Sequence, residues 1–201
     1  MIDTRRLPAA ERSELRLGYL RLTDSAPVIM AQELGLFARY DLDVALQREV
    51  SWANLRDKLV TGDLDAAQIL APLPLATSLG AGGMRADVIT GLALSLNGNA
   101  ITLSPALSVA IASRGGDAVA SARSTATALG AYLRERDGSS QLTLASAHSF
   151  SCHTFLLRLW LRAGGIDPDR DVRIIILPPE QMVDSLSRGI IDGFCVGEPW
   201  S

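Results

Sequence analysis

One short pattern occurs twice in this chain. Leu59-x-x-Gly62-x-Leu64-Asp65-Ala66 precedes Pro72, and Leu186-x-x-Gly189-x-Ile191-Asp192-Gly193 precedes Pro199 at the same offset. In each copy an amphipathic helix is expected to end at the glycine, the residue that tolerates a left-handed cap. A short apolar strand should follow and stop at a proline, which cannot continue a ladder. The two copies are too far apart and too imperfect for a solenoid. They read instead as two α/β lobes of similar plan around a cleft, an arrangement that suits capture of a small molecule before it suggests catalysis.

At 201 residues the chain is long enough for one large core or two small ones. Its 48% hydrophobic and 20% charged content describes an ordinary globular protein. A net charge of −3 gives no electrostatic reason to expect direct nucleic-acid binding. Lys58 is the only lysine amid plentiful arginine and alanine, which fits a high-GC bacterial codon bias. Residues 1–14 read as a flexible, charged N-terminal segment without an apolar signal region. No run approaches the roughly 18 apolar residues of a membrane span. Cys152 and Cys195 lack metal spacing, and two free buried thiols are expected. As written, the chain reads as cytoplasmic, or as periplasmic should an upstream signal be missing.

Strands are expected at Leu15–Leu20, Leu42–Leu46, Ala66–Leu70 and Asp87–Leu94, and helices at Val28–Tyr40, Trp52–Val60 and Leu73–Leu79. Asn97-Gly98 marks a turn, and Ser104-Pro105 opens a helix. An alanine-rich helix is expected over Val119–Arg136, followed by the strand Leu142–Ala145 and the helix Ser151–Ala163. The strand Val172–Leu177, the helix Glu180–Ser187 and the strand Ile190–Val196 complete the reading. Such alternation argues for mostly parallel sheets with crossovers. Lobe 1 is placed at 15–100 and lobe 2 at 101–201.

Gly80-Ala81-Gly82-Gly83 follows a helix and lacks the strand-loop-helix order of a phosphate loop. Cys152 and His153 are adjacent on a helix, so their side chains diverge by roughly 100° and do not form a nucleophile-base pair. No carboxylate pair or metal-ligand spacing stands out, and no cofactor or enzymatic activity is expected. Four residues remain beside strand ends and helix starts: Trp52 after Ser51, Gln68 in an apolar strand, Asn99 at a turn, and His153 in a first helical turn. Each has an ordinary structural reading alone. Together they make a donor set for a small anion.

The segments Leu22-Thr23-Asp24-Ser25-Ala26-Pro27, Ser51-Trp52 with Arg56-Asp57, and Ile69-Leu70-Ala71-Pro72-Leu73-Pro74 resemble the nitrate/bicarbonate solute-binding proteins of ABC importers. So do Arg158-x-Trp160-Leu161, Ala163-Gly164-Gly165-Ile166-Asp167-Pro168, Pro178-Pro179-x-Gln181-Met182-Val183 and the closing block Asp192-Gly193-Phe194-Cys195-Val196-Gly197-Glu198-Pro199-Trp200. Within that family the chain looks closest to cytoplasmic NasS-like nitrate/nitrite sensors, which hold a NasT-like RNA-binding antiterminator inactive until anion binds.

The resemblance implies a type II periplasmic-binding-protein-like α/β fold of two lobes with mostly parallel sheets. It implies nitrate or nitrite as ligand and no enzymatic activity. The family's anion-contacting tryptophan matches Trp52 and its helix histidine matches His153. Its cleft amide falls at Asn99, and Gln68 stands where relatives often carry histidine. An alternative is the solute-binding receptor of a nitrate/nitrite or bicarbonate ABC importer, with an ABC permease as partner; a pyrimidine-synthase-like enzyme of the same fold would need a cysteine-rich iron motif, which this sequence lacks. The chain stops just after the closing block. It is therefore expected to be a fragment whose first lobe is incomplete, lacks one cationic contact and exposes apolar surface near Leu15 and Asp87.

Overall fold

The two copies of the repeat build the same local structure. The Asp65 N–H donates to the Arg16 carbonyl at 2.9 Å, and Asp65 Oδ2 accepts the Arg16 N–H at 2.8 Å. Asp192, 127 residues further on (65 to 192), does the same with Thr143, at 2.8 Å each way. An aspartate at this point thus extends the ladder by one side-chain bond and fixes where the next strand begins. Ahead of it, Gly62 (φ 81°) and Gly189 (φ 67°) take the left-handed turn that a side chain disfavours. Leu64 and Ile191 then bury their side chains beneath the new strand.

The protein, a computed structural model describing residues 10–96, 98–136 and 141–201, divides into two compact units, Met1–Asn97 and Gly98–Ser201. Unit 1 contains β1 (Glu14–Tyr19), α1 (Ala26–Glu33), β2 (Asp43–Arg48), α2 (Trp52–Thr61), β3 (Ala66–Ala67) and α3 (Pro72–Leu79). Its sheet has the order β2-β1-β3, all parallel, with Leu17 opposite both Leu46 and Ala66. The core of the unit includes Trp52, Leu55, Leu64 and Leu73.

Unit 2 contains β4 (Asn99–Leu103), α4 (Pro105–Ala112), α5 (Ala122–Glu135), β5 (Leu142–Ser146), α6 (Cys152–Ala163), β6 (Val172–Ile176), α7 (Met182–Ser187) and β7 (Gly193–Gly197). The sheet order is β4-β7-β5-β6, parallel except for the antiparallel pair β4-β7. Leu144, Leu157, Leu161 and Val172 pack with Leu129 into one core. Gly130 of α5 and Gly164 after α6 lie against backbone so closely that a Cβ on either would overlap it, which lets the two helices approach. Serines cap α2, α4, α5 and α6 by accepting the backbone N–H three residues on.

Several expectations are corrected. The strand expected over Asp87–Leu94 is absent: residues 84–96 carry no regular structure, and Ile89, Leu92 and Leu96 are 98%, 74% and 84% exposed. Alternating apolar residues there have no ladder to join. A strand instead forms at Asn99–Leu103, of which the sequence reading placed only Asn99, at a turn, because its partner β7 lies almost a hundred residues downstream. The expected strand to Leu70 shortens to Ala66–Ala67. The helix expected to Tyr40 ends at Glu33, with a short 3-10 turn at Ala38–Tyr40. The units meet at 97/98, so Asn99, assigned from sequence to the end of lobe 1, belongs to unit 2. Most of the N-terminal segment expected to be flexible lies outside the described residues; Ser13 already joins the sheet by accepting the Asp43 N–H.

Candidate functional site

In a parallel sheet the loops after the strands gather at the carboxyl edge, where ligands usually bind in open α/β folds. Each unit brings two of the four candidate residues to that edge. In unit 1, Trp52 opens α2 just after β2, and Gln68 follows β3 directly. In unit 2, His153 lies in the first turn of α6 after β5. Asn99 begins the antiparallel strand β4 and sits opposite Gly197, the last residue of β7.

Trp52 is buried to 1% exposure, and among the described residues its Nε1 has no hydrogen-bond acceptor. Leaving a buried donor unmatched costs about 1–3 kcal/mol, which sets this indole apart from that of Trp160. By contrast, Trp160 donates its Nε1 to the Ala122 carbonyl and Thr125 Oγ1, both at 3.0 Å. The turn carrying Trp52 is held at both ends. Ser51 Oγ accepts the Asn54 N–H at 3.1 Å, and the buried Glu49 carboxylate receives Lys58 Nζ at 2.7 Å. Asn54 Oδ1, in the same helical turn, is a second buried polar atom without a partner among the described residues, and no pattern in the sequence points to it.

Gln68 is buried, and its side chain has a structural duty. Its N–H donates to the Gly18 carbonyl, while its Oε1 accepts the Leu20 N–H at 3.2 Å. That bond fixes the amide orientation, since only oxygen accepts from a backbone N–H, and leaves the Nε2 end as the donor.

His153 is buried beside a cluster of hydroxyls that sequence reasoning missed. Ser146 Oγ, at the end of β5, lies 2.6 Å from Thr154 Oγ1, which donates to the His148 carbonyl at 2.7 Å. Ser151 Oγ caps α6 by accepting the Thr154 N–H at 3.0 Å. These bonds pin the first turn of α6 to the strand end. The available signal was three hydroxyl residues spaced across a strand-to-helix junction. Asn99 is half-buried.

Cys195 is buried in β7 and Cys152, half-buried, begins α6; both are free thiols. Burial first, and Cys152 second, push the Cys195 thiol up to about 12, so it stays protonated at neutral pH. Gly80 caps α3 in the left-handed region, which makes the glycine-rich stretch a helix end.

Two α/β units of this plan have the type II periplasmic-binding-protein-like fold. The chain belongs to the NMT1-like family, whose model matches residues 8–201. It is 43% identical over 195 residues to the bicarbonate transport ATP-binding protein CmpC of Synechocystis, covering 95% of this chain and 27% of that protein. The nitrate/nitrite binding protein NrtA of Nostoc is 33% identical over 202 residues, covering 96% and 42%. The crystal structure of the periplasmic nitrate-binding protein NrtA from Synechocystis superposes with a TM-score of 0.82 at 32% identity, over 96% of this chain and 49% of that one. The alkanesulfonate-binding protein SsuA of Xanthomonas axonopodis, with a TM-score of 0.60 at 18% identity, shares the fold. The chain thus spans between about a quarter and a half of the CmpC and NrtA proteins it matches. Its only lysine, Lys58, follows Asp57, so these 201 residues contain no Gly-Lys-Ser/Thr phosphate loop. The likeness to the ATP-binding proteins therefore concerns a region without that loop.

Proposed function

We propose that this chain recognises nitrate or nitrite as the solute-binding part of an ABC import system. The observation that carries this reading is the Trp52 indole: fully buried, its N–H unmatched, at the position of the anion-contacting tryptophan in the family it resembles. Nitrate is flat, weakly hydrated and acceptor-only, so it asks for N–H donors and an aromatic wall. Taken separately, unit 1 carries such groups in the Trp52 indole and the Gln68 amide, and unit 2 in His153, Asn99 and the start of α6. Bicarbonate carries an O–H and asks for an acceptor as well, which Asn54 Oδ1 offers in the Trp52 turn; the choice of nitrate or nitrite follows the likeness to the NrtA proteins.

The relatives carry the names of import components, which favours a receptor working with an ABC permease over the cytoplasmic sensor paired with a NasT-like antiterminator. Titration calorimetry with nitrate, nitrite and bicarbonate is the direct test. Nitrate or nitrite should bind more tightly than bicarbonate, and Trp52→Phe should weaken binding about ten- to a hundredfold, the worth of a hydrogen bond to a charged group at roughly 1.5–3 kcal/mol. Tighter bicarbonate binding, or unchanged affinity in Trp52→Phe, overturns the assignment. Nitrate-dependent release of an RNA-binding partner from the chain would restore the sensor reading.

A further inference from the structure

Unit 2 has a second concave feature, at the amino edge of its sheet, opposite to Ser146 and His153. A cavity of about 460 Å³ opens there between α5, the start of β5 and the turn before β6. Its apolar wall is Leu133, Leu142 and Ile166, the last two buried. Around it stand the guanidinium-bearing side chains of Arg134, Arg136 and Arg170.

We propose that this cavity binds a small organic phosphate, a phosphate monoester with an apolar or aromatic body. Among the described residues the lining holds three arginines and one carboxylate, Asp171, whose Oδ2 already accepts the Asp167 N–H at 2.7 Å. The cavity is thus locally cationic in a chain of net charge −3. Gln141 Nε2 donates to the Arg170 carbonyl at 3.0 Å, which anchors that arginine's backbone to the start of β5. The Arg136 guanidinium lies 6.0 Å from the Tyr132 ring centre, a cation-π approach that restrains it.

Guanidinium forks match phosphate oxygens in pairs, and a monoester is largely dianionic at neutral pH. The volume falls within the roughly 300–1,000 Å³ of ordinary ligand cavities, and the three apolar residues give an organic body a wall that inorganic phosphate would leave unused. The shared plan of the units does not produce this charge. By strand register, β1 and β2 place Glu14 and Leu42 where β5 and β6 place Gln141 and Arg170.

The test is calorimetry on the 201-residue chain with adenosine monophosphate, glucose 6-phosphate and inorganic phosphate, with adenosine and glucose as uncharged controls. At least one ester should bind, its uncharged control should not, and the double variant Arg134→Gln/Arg170→Gln should weaken that ester at least tenfold. Both arginines are exposed, so the variant should keep the parent melting temperature and nitrate affinity. Binding of neither ester, binding of inorganic phosphate alone, or undiminished ester binding by the double variant overturns the proposal. The nitrate titration reads the other site separately, so its failure leaves the ester result interpretable.

Discussion

Asp65 and Asp192 start two strands by the same pair of hydrogen bonds, yet the strands that follow differ in length. β7 runs five residues between β5 on one side and the antiparallel β4 on the other. β3 runs two residues and pairs with β1. Where the unit 1 ladder gives out, a side chain continues it: Gln68 Oε1 takes the Leu20 N–H. The local motif therefore decides where a strand begins, and the neighbours decide how far it runs. The same contrast holds for the large aromatics. Trp160 is fully bonded within unit 2, whereas Trp52 in unit 1 is buried with a donor to spare.

The largest expected effects come from the matched core pair. Leu64 and Ile191 are both buried, at 2% and 1% exposure. Leu64→Ala and Ile191→Ala should each cost about 2–5 kcal/mol. If the two closing strands are supported to different degrees, Leu64→Ala should speed amide exchange throughout β1 and β3, while Ile191→Ala should leave β5 better protected. Identical exchange losses in both sheets would break the comparison.

Next in size is the tryptophan pair. Trp160→Phe removes the indole donor from the Ala122 carbonyl and Thr125 Oγ1, which still bond each other at 2.9 Å, and should lower stability by about 0.5–1.5 kcal/mol in denaturant titrations. Trp52→Phe loses no internal hydrogen bond, so its stability should be nearly unchanged while its nitrate affinity falls. A stability loss in Trp52→Phe equal to that in Trp160→Phe would mean that the indole N–H has an internal partner after all.

Much of this architecture was legible because it rests on local chemistry. The Ser51 cap before α2, the Ser104-Pro105 start of α4, the glycine ending α2 and the Asp65/Asp192 repeat all act within one or two turns of chain. The misreadings share a cause. Asp87–Leu94 alternates like a strand, and Asn97-Gly98-Asn99 reads as a turn, because strand formation depends on a partner that the local pattern does not name. The site was legible residue by residue at Trp52 and His153, through their position at helix starts. The hydroxyl cluster of Ser146, Ser151 and Thr154, the spare acceptor on Asn54 and the double duty of Gln68 were not, since each depends on contacts across elements.

Acid should test the pairing of the first repeat aspartate. The Arg16 guanidinium and the Arg16 N–H hold the Asp65 carboxyl down to about 2, against an ordinary value of 3.8. A lowered folded-state value contributes stability that is present above the unfolded value and lost as pH falls through the folded one. The window is therefore about pH 4 down to pH 2. Arg16→Met should move the acid unfolding of unit 1 to higher pH, read by resolved amide signals of β1 and β3. An unchanged acid midpoint would show that the Arg16 pairing does not contribute.

The smallest effect concerns the two thiols of unit 2, where stability should not change at all. Cys195 is buried in the middle of β7 and its thiol is pushed up to about 12, so thiolate is scarce at neutral pH and reagent has no path to it. Cys152 is half-buried at the first position of α6, beside the surface that carries His153. A disulfide reagent such as Ellman's should therefore modify one thiol per chain under native conditions, at Cys152, and the second only on unfolding. Bound nitrate should slow the first reaction if the start of α6 helps hold the anion, because the ligand would shield that turn. Equal rates with and without nitrate would remove α6 from the site, leaving Trp52 and Gln68 of unit 1 to account for binding.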